Sequence, residues 1–119
     1  MHSIKAGAAL PQLDSWGTVA DLGSTITEGE AKASGHVHFG TPTSPVSAGY
    51  FACTKGKFEM VYPFSEHATV VEGECTLLNR TTGEAVHYKA GDGWFIEKGT
   101  PIAWDIQSER FVKHYMAVA

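Results

Sequence analysis

From about Gly35 onward the chain sets short apolar or alternating runs between glycine, proline and asparagine, and nowhere do apolar residues hold a helical period for three turns. The pattern predicts strands over 35–39, 49–54, 57–62, 67–72, 75–79, 84–88, 93–97, 102–106 and 111–118. Lys55-Gly56, Gly73-Glu74, Asn79 to Gly83, Ala90-Gly91 and Lys98 to Pro101 supply turns, because their residues either tolerate positive φ or fix it. Evenly spaced short strands imply an all-β domain, either a closed barrel or a two-sheet jelly roll. Residues 1–30 are looser, with Gly7, Pro11, Gly17, Gly23 and Gly29. They read as an N-terminal arm or swapped edge strand, with 31–119 forming the barrel.

At 119 residues the chain can close one apolar core but not two. A formal charge of -4 and scattered lysines and arginines leave no basic stripe, so nucleic acid is not an expected partner. No run approaches the roughly 20 apolar residues that span a bilayer, and no basic segment precedes an apolar one at the start. A cytoplasmic protein without membrane contact is expected. Cys53 and Cys75 have no zinc-type spacing and read as reduced packing residues.

Two glycine-bounded frames carry the chemistry. Glu66 falls seven residues before Gly73, and Gly91 falls eight before Gly99. With Gly49 to Phe58, then Tyr62, Glu72-Gly73, Ala90 to Ile96, Trp104 and Lys113-His114-Tyr115, this ordered series resembles the cupin superfamily. Within that superfamily it is similar to the small single-domain group related to the ureidoglycine aminohydrolase cupin domain. The resemblance covers about 29–118. It implies a single-domain, RmlC-like cupin jelly-roll β-barrel, open at one end and commonly a homodimer through sheet extension by N-terminal strands. It does not imply a reaction, because one barrel hosts many chemistries.

The departures from the family pattern bear on function. Positions that hold metal-binding histidines in the first cupin motif are Met60 and Tyr62 here, and the histidine of the second motif falls on Ile102. Of the family's ligand set only Glu66 remains. A lone carboxylate does not hold manganese or iron, which take sets of oxygen and imidazole donors. Neither a metal nor another cofactor is expected in the barrel, and the aminohydrolase activity is not carried over.

Side chains two apart on a strand share a face, so Met60 and Tyr62 point together, and Glu66, Ala68 and Val70 form an inward row opposite them. A carboxylate inside an apolar barrel must take up a proton or find a cation or hydrogen-bond donors. Lys113 is the preferred partner; the alternative places Glu66 at a half-solvated rim with Lys113 covering a hydrophobic edge. Because His114 alternates with Lys113, only one of the two faces inward. Tyr62 offers a phenolic donor or simply packs. Trp104 shares the face of Ile102 and either stacks on a ligand or fills the space a metal would need. Tyr115, on the face of Lys113, is either core or contact.

Among the six histidines, His36-Val37-His38 puts two imidazoles on one strand face, and the alternation with Val37 and Phe39 assigns that face to solvent. His67 faces away from Glu66, His87 is exposed, and His2 is expected to be unordered. No serine or cysteine lies in an elbow or triad setting, and no glycine-rich turn has a phosphate loop's strand-to-helix context. Three readings remain. The first is a metal-free cupin binding a small polar organic molecule in the barrel mouth through Met60, Tyr62, Glu66, Trp104, Lys113 and Tyr115. The second is an enzyme using Glu66 as general acid or base on a carbonyl, amide or sugar-like substrate. The third is a dimeric structural module whose cavity Tyr62 and Trp104 fill.

Overall fold

The computed structural model describes all 119 residues. Its strands are β1 (Asp14–Thr18), β2 (Thr25–Gly29), β3 (Lys32–Phe39), β4 (Val46–Val61), β5 (Ser65–Glu72), β6 (Glu74–Asn79), β7 (Ala85–Lys89), β8 (Gly93–Ile96) and β9 (Pro101–Val118), with one 3₁₀ turn at Val19–Leu22. All pairings are antiparallel. One layer runs β1-β3-β4-β9-β5-β8, and the other joins β2 to β4 and β6 to both β9 and β7. The result is a single jelly roll, as the resemblance implies, in which the two longest strands belong to both layers.

That sharing corrects the strand boundaries. The turn expected at Lys55-Gly56 does not form, and 49–54 with 57–62 is one strand; likewise 102–106 and 111–118 join into β9. Ladder pairing runs from Thr54↔Arg110 straight to Gly56↔Ile106, so residues 107–109 bulge out of β9 opposite Lys55. A bulge bends its strand and shifts side-chain parity. Cys53 and Phe58 are therefore both buried although they lie five positions apart, and the same holds of Ile106 and Phe111. Glycine punctuation marked the right place, but it signalled a corner between two sheets.

The core between the layers gathers Val19, Cys53, Phe58, Tyr62, Val70, Cys75, Leu77, Trp94, Ile102, Trp104, Ile106 and Phe111. A tight turn at Gly73, with φ +78°, reverses β5 into β6, and a Cβ there would run into the Arg110 carbonyl oxygen. Only glycine combines that backbone with so close an approach.

The boundary expected at residue 30 falls in the connection between β2 and β3. Segment 14–29 lies within the sheets of its own chain, with β1 on β3 and β2 on β4. Residues 1–13 are free of strands and cross the outside of the first layer, where Leu10 and Leu13 pack on a second small cluster of Tyr50, Ala52, Val71 and Val112. No helix is long and apolar enough to cross a membrane.

Both cysteines are free and buried, and burial pushes each thiol up to about 12. The thiolate is the reactive form. Neither should react with an aromatic disulfide reagent at pH 8 in the native protein, and two equivalents should titrate after unfolding. Rapid native labelling would place one thiol outside the core.

Candidate functional site

Glu66 on β5 lies opposite Ile96 of β8 and Ala117 of β9, its side chain only 1% exposed. Parity then carries Lys113 of β9 to the same interior, at 6% exposure, while His114 turns to the outer face. The Lys113 ammonium donates to both carboxylate oxygens, at 2.8 Å to Oε1 and 2.7 Å to Oε2. Glu66 Oε1 also accepts from the Tyr62 hydroxyl and from Trp94 Nε1, each at 3.0 Å. Burial and the adjacent carboxylate raise the Tyr62 hydroxyl well above its ordinary value, which keeps it protonated as a donor. Four short bonds to one carboxylate meet the requirement that a buried ion pair have its remaining valences satisfied.

Aromatic rings surround the ammonium. Nζ lies 5.1 Å from the ring centres of Phe51 and Trp104, 5.6 Å from Trp94, 5.8 Å from Tyr115 and 5.9 Å from Tyr62. All five lie within the roughly 6 Å at which a ring face attracts a cation. Trp104 is itself held by Phe58, stacked at 5.4 Å, and by edge contacts from Trp94 and Phe111.

Above the pair opens a cavity of about 600 Å³, mostly apolar and lined by Trp16, Phe51, Phe58, Met60, Phe64 and Ala117 along with Tyr62, Glu66, Trp104, Lys113 and Tyr115. All six residues proposed from sequence, Met60, Tyr62, Glu66, Trp104, Lys113 and Tyr115, converge on this one space. Sequence reasoning missed three contributors. Trp94 supplies a donor to Glu66, Phe51 lies over the ammonium, and Trp16, from the supposed arm, lines the mouth. Trp94 lies in the glycine-bounded stretch that carried the resemblance, two residues before the partner of Glu66, and that spacing was the available signal.

A cupin fold raises the question of a metal. The lining includes one carboxylate and no imidazole or thiol, and both oxygens of that carboxylate are taken by an ammonium. Met60 and Tyr62 offer a thioether and a protonated phenol, and Ile102 offers nothing. This donor set does not fit a transition ion.

One buried polar atom has no partner, the Trp104 indole Nε1. Lys113 uses its ammonium on Glu66 through two bonds, leaving one of its three N–H donors without a protein acceptor.

A family model described as the EutQ-like cupin domain matches residues 40–115. The chain belongs to that family. Among solved structures, this cupin is similar to the Clostridium difficile EutQ protein, with a TM-score of 0.66 at 17% identity over 93% of this chain and 80% of that one. It is also similar to a putative ethanolamine utilization protein Q from Salmonella typhimurium LT2, with a TM-score of 0.61 at 21% identity over 94% and 98% of the two chains. A protein of unknown function from Pseudomonas syringae pv. tomato superposes with a TM-score of 0.78 at 16% identity; the match covers 96% of the cupin and 52% of that chain. The cupin thus spans about half the length of that neighbour. At these identities the likeness establishes the fold alone. The sequence matches none of the curated proteins.

Proposed function

We propose that this cupin binds a small organic molecule in the barrel mouth without a metal, and that the Lys113 ammonium, paired with Glu66, stands in for the ion. The observation that carries the reading is the closed set of four hydrogen bonds on Glu66 at the base of an open cavity. The pair is neutral overall, so it neither demands a cationic ligand nor requires a strongly anionic one. The lining is mostly apolar with a few hydroxyls, and Lys113 keeps one N–H donor unused, so the ligand has an apolar or planar body and at least one carbonyl, hydroxyl or carboxylate oxygen. A cavity of about 600 Å³ falls within the usual range for such ligands. It also speaks against the idea that Tyr62 and Trp104 fill the barrel.

Catalysis by Glu66 is the second reading. Glu66 Oε2 accepts a single bond, from Lys113, and keeps one lone-pair direction unused. General acid–base catalysis on a carbonyl or amide would work through that oxygen. A lysine that donates to both oxygens competes with any substrate for them, which favours a binding role over a catalytic one.

The test is a thermal-shift screen of small oxygen-bearing organic molecules against the native chain and Met60→Trp. That variant fills the cavity without touching the ion pair. Hits should stabilise the native chain, and titration calorimetry should show at least about tenfold weaker binding to Met60→Trp, the effect of losing roughly 1.4 kcal/mol. Equal stabilisation of both proteins would place the site elsewhere.

A further inference from the structure

Three histidines meet on the outer face of the first layer, away from the barrel. His38 comes from β3 and His114 from β9, strands separated by β4, and their Nε2 atoms lie 2.8 Å apart with the rings nearly coplanar at 25°. The third, His2, expected to be unordered, is brought in by the N-terminal segment. Its ring stacks on His38 at 4.3 Å, and its Nε2 lies 2.6 Å from the Tyr50 hydroxyl. One ligating nitrogen from each ring lies within 4.8 Å of the other two. Spacing of the His36-Val37-His38 pair did not reveal this, because the partners of His38 are distant in sequence.

We infer that His2, His38 and His114 form a zinc site that clasps the N-terminal segment to the outside of the sheet. Imidazole nitrogen suits zinc, copper and nickel. Three protein ligands with a fourth position left to water is an ordinary zinc arrangement, with Zn–N near 2.0–2.1 Å and thus tetrahedral N···N separations of about 3.3 Å. The His38 and His114 nitrogens already face one another, so they need to part by only about half an ångström and tilt their lone pairs toward a common point beside their line of contact to take the ion. The Nε2 proton now shared between them moves to the Nδ1 of the same ring, so coordination of the neutral pair releases no proton. Burial and the two neighbouring imidazoles hold His114 neutral, with a lone pair available. His2 must leave its stack and turn its ring toward the ion. It can do so because residues 1–13 carry no strand. Leu10 and Leu13 anchor the far part of the same segment, so zinc closes its near end.

The experiment is isothermal titration of ZnCl2 into the full chain, its His38→Gln, His114→Gln and His2→Gln variants, and His67→Gln as a control at another outer-face histidine. One equivalent should bind the native chain, and binding should weaken about ten- to hundredfold in His38→Gln and His114→Gln while staying unchanged in His67→Gln. His2→Gln should retain weaker binding and lose zinc-dependent protection of the N-terminal segment from proteolysis. Melting curves without zinc report whether each variant is folded. On the native protein, zinc should shift the ring-nitrogen resonances of His2, His38 and His114 and of no other imidazole, a reading independent of any variant. Equal zinc binding by native chain and a His38→Gln/His114→Gln double variant, or zinc shifts confined to other histidines, would overturn the site.

Discussion

Lys113→Met should destabilise the fold by about 3–5 kcal/mol, the range for stripping one partner from a buried ion pair. Methionine follows the lysine stem closely, so little packing changes. What changes is that Glu66, 1% exposed, keeps only the Tyr62 and Trp94 donors for a full negative charge. The cost is thus the stranded anion, and it should shrink when the anion is removed as well. Glu66→Gln with Lys113→Met keeps a carbonyl oxygen to accept from Tyr62 and Trp94, and no charge remains. That double variant should recover at least half of the loss, giving a coupling of about 2–3 kcal/mol by urea denaturation. If single and double variants were equally unstable, Lys113 would matter only for the volume of its stem, and the pair would have no place in an account of the barrel.

How much of this could be read from the sequence follows from which interactions are local. Alternation was enough to set Glu66 in the inward row of β5 and to put Lys113 and Tyr115 on one face of β9, since parity within a strand does not depend on its neighbours. The choice between Lys113 and His114 was open because each parity leaves one polar group buried, and only the arrival of Glu66 across the ladder decides which burial is compensated. Trp94 needed the register of β5 against β8, where a slip of one residue would have brought Phe95 inward instead. The corner at 54–56 was misread because a glycine that bends a strand between two sheets and a glycine that ends one look alike in sequence. The histidine cluster was out of reach altogether: it is assembled from the N-terminal segment, β3 and β9, with no spacing in common.

Trp94 and Trp104 allow the sharpest test of the site's chemistry, because the same substitution should give different results at two buried tryptophans, 7% and 3% exposed, that touch each other edge to face. Trp94→Phe removes a donor to a buried carboxylate, worth about 1.5–3 kcal/mol, together with part of the ring contact to Tyr88, so a loss of about 2–4 kcal/mol is expected. Trp104→Phe removes an N–H that has no partner in the protein. Relief of that unmet donor, about 1–3 kcal/mol, offsets the packing lost against Phe58 and Phe111, and stability should change by less than about 1.5 kcal/mol. A protein that keeps such a donor buried trades stability for something else; the Trp104 ring borders the cavity, and an acceptor arriving there would meet the N–H only once the side chains covering it shift. Any ligand from the thermal-shift screen should therefore bind Trp104→Phe about tenfold more weakly while the fold stays intact, the equivalent of one hydrogen bond near 1.4 kcal/mol. Unaltered affinity would mean that the indole N–H faces no ligand, and equal destabilisation by the two substitutions would mean that ring volume alone governs both positions.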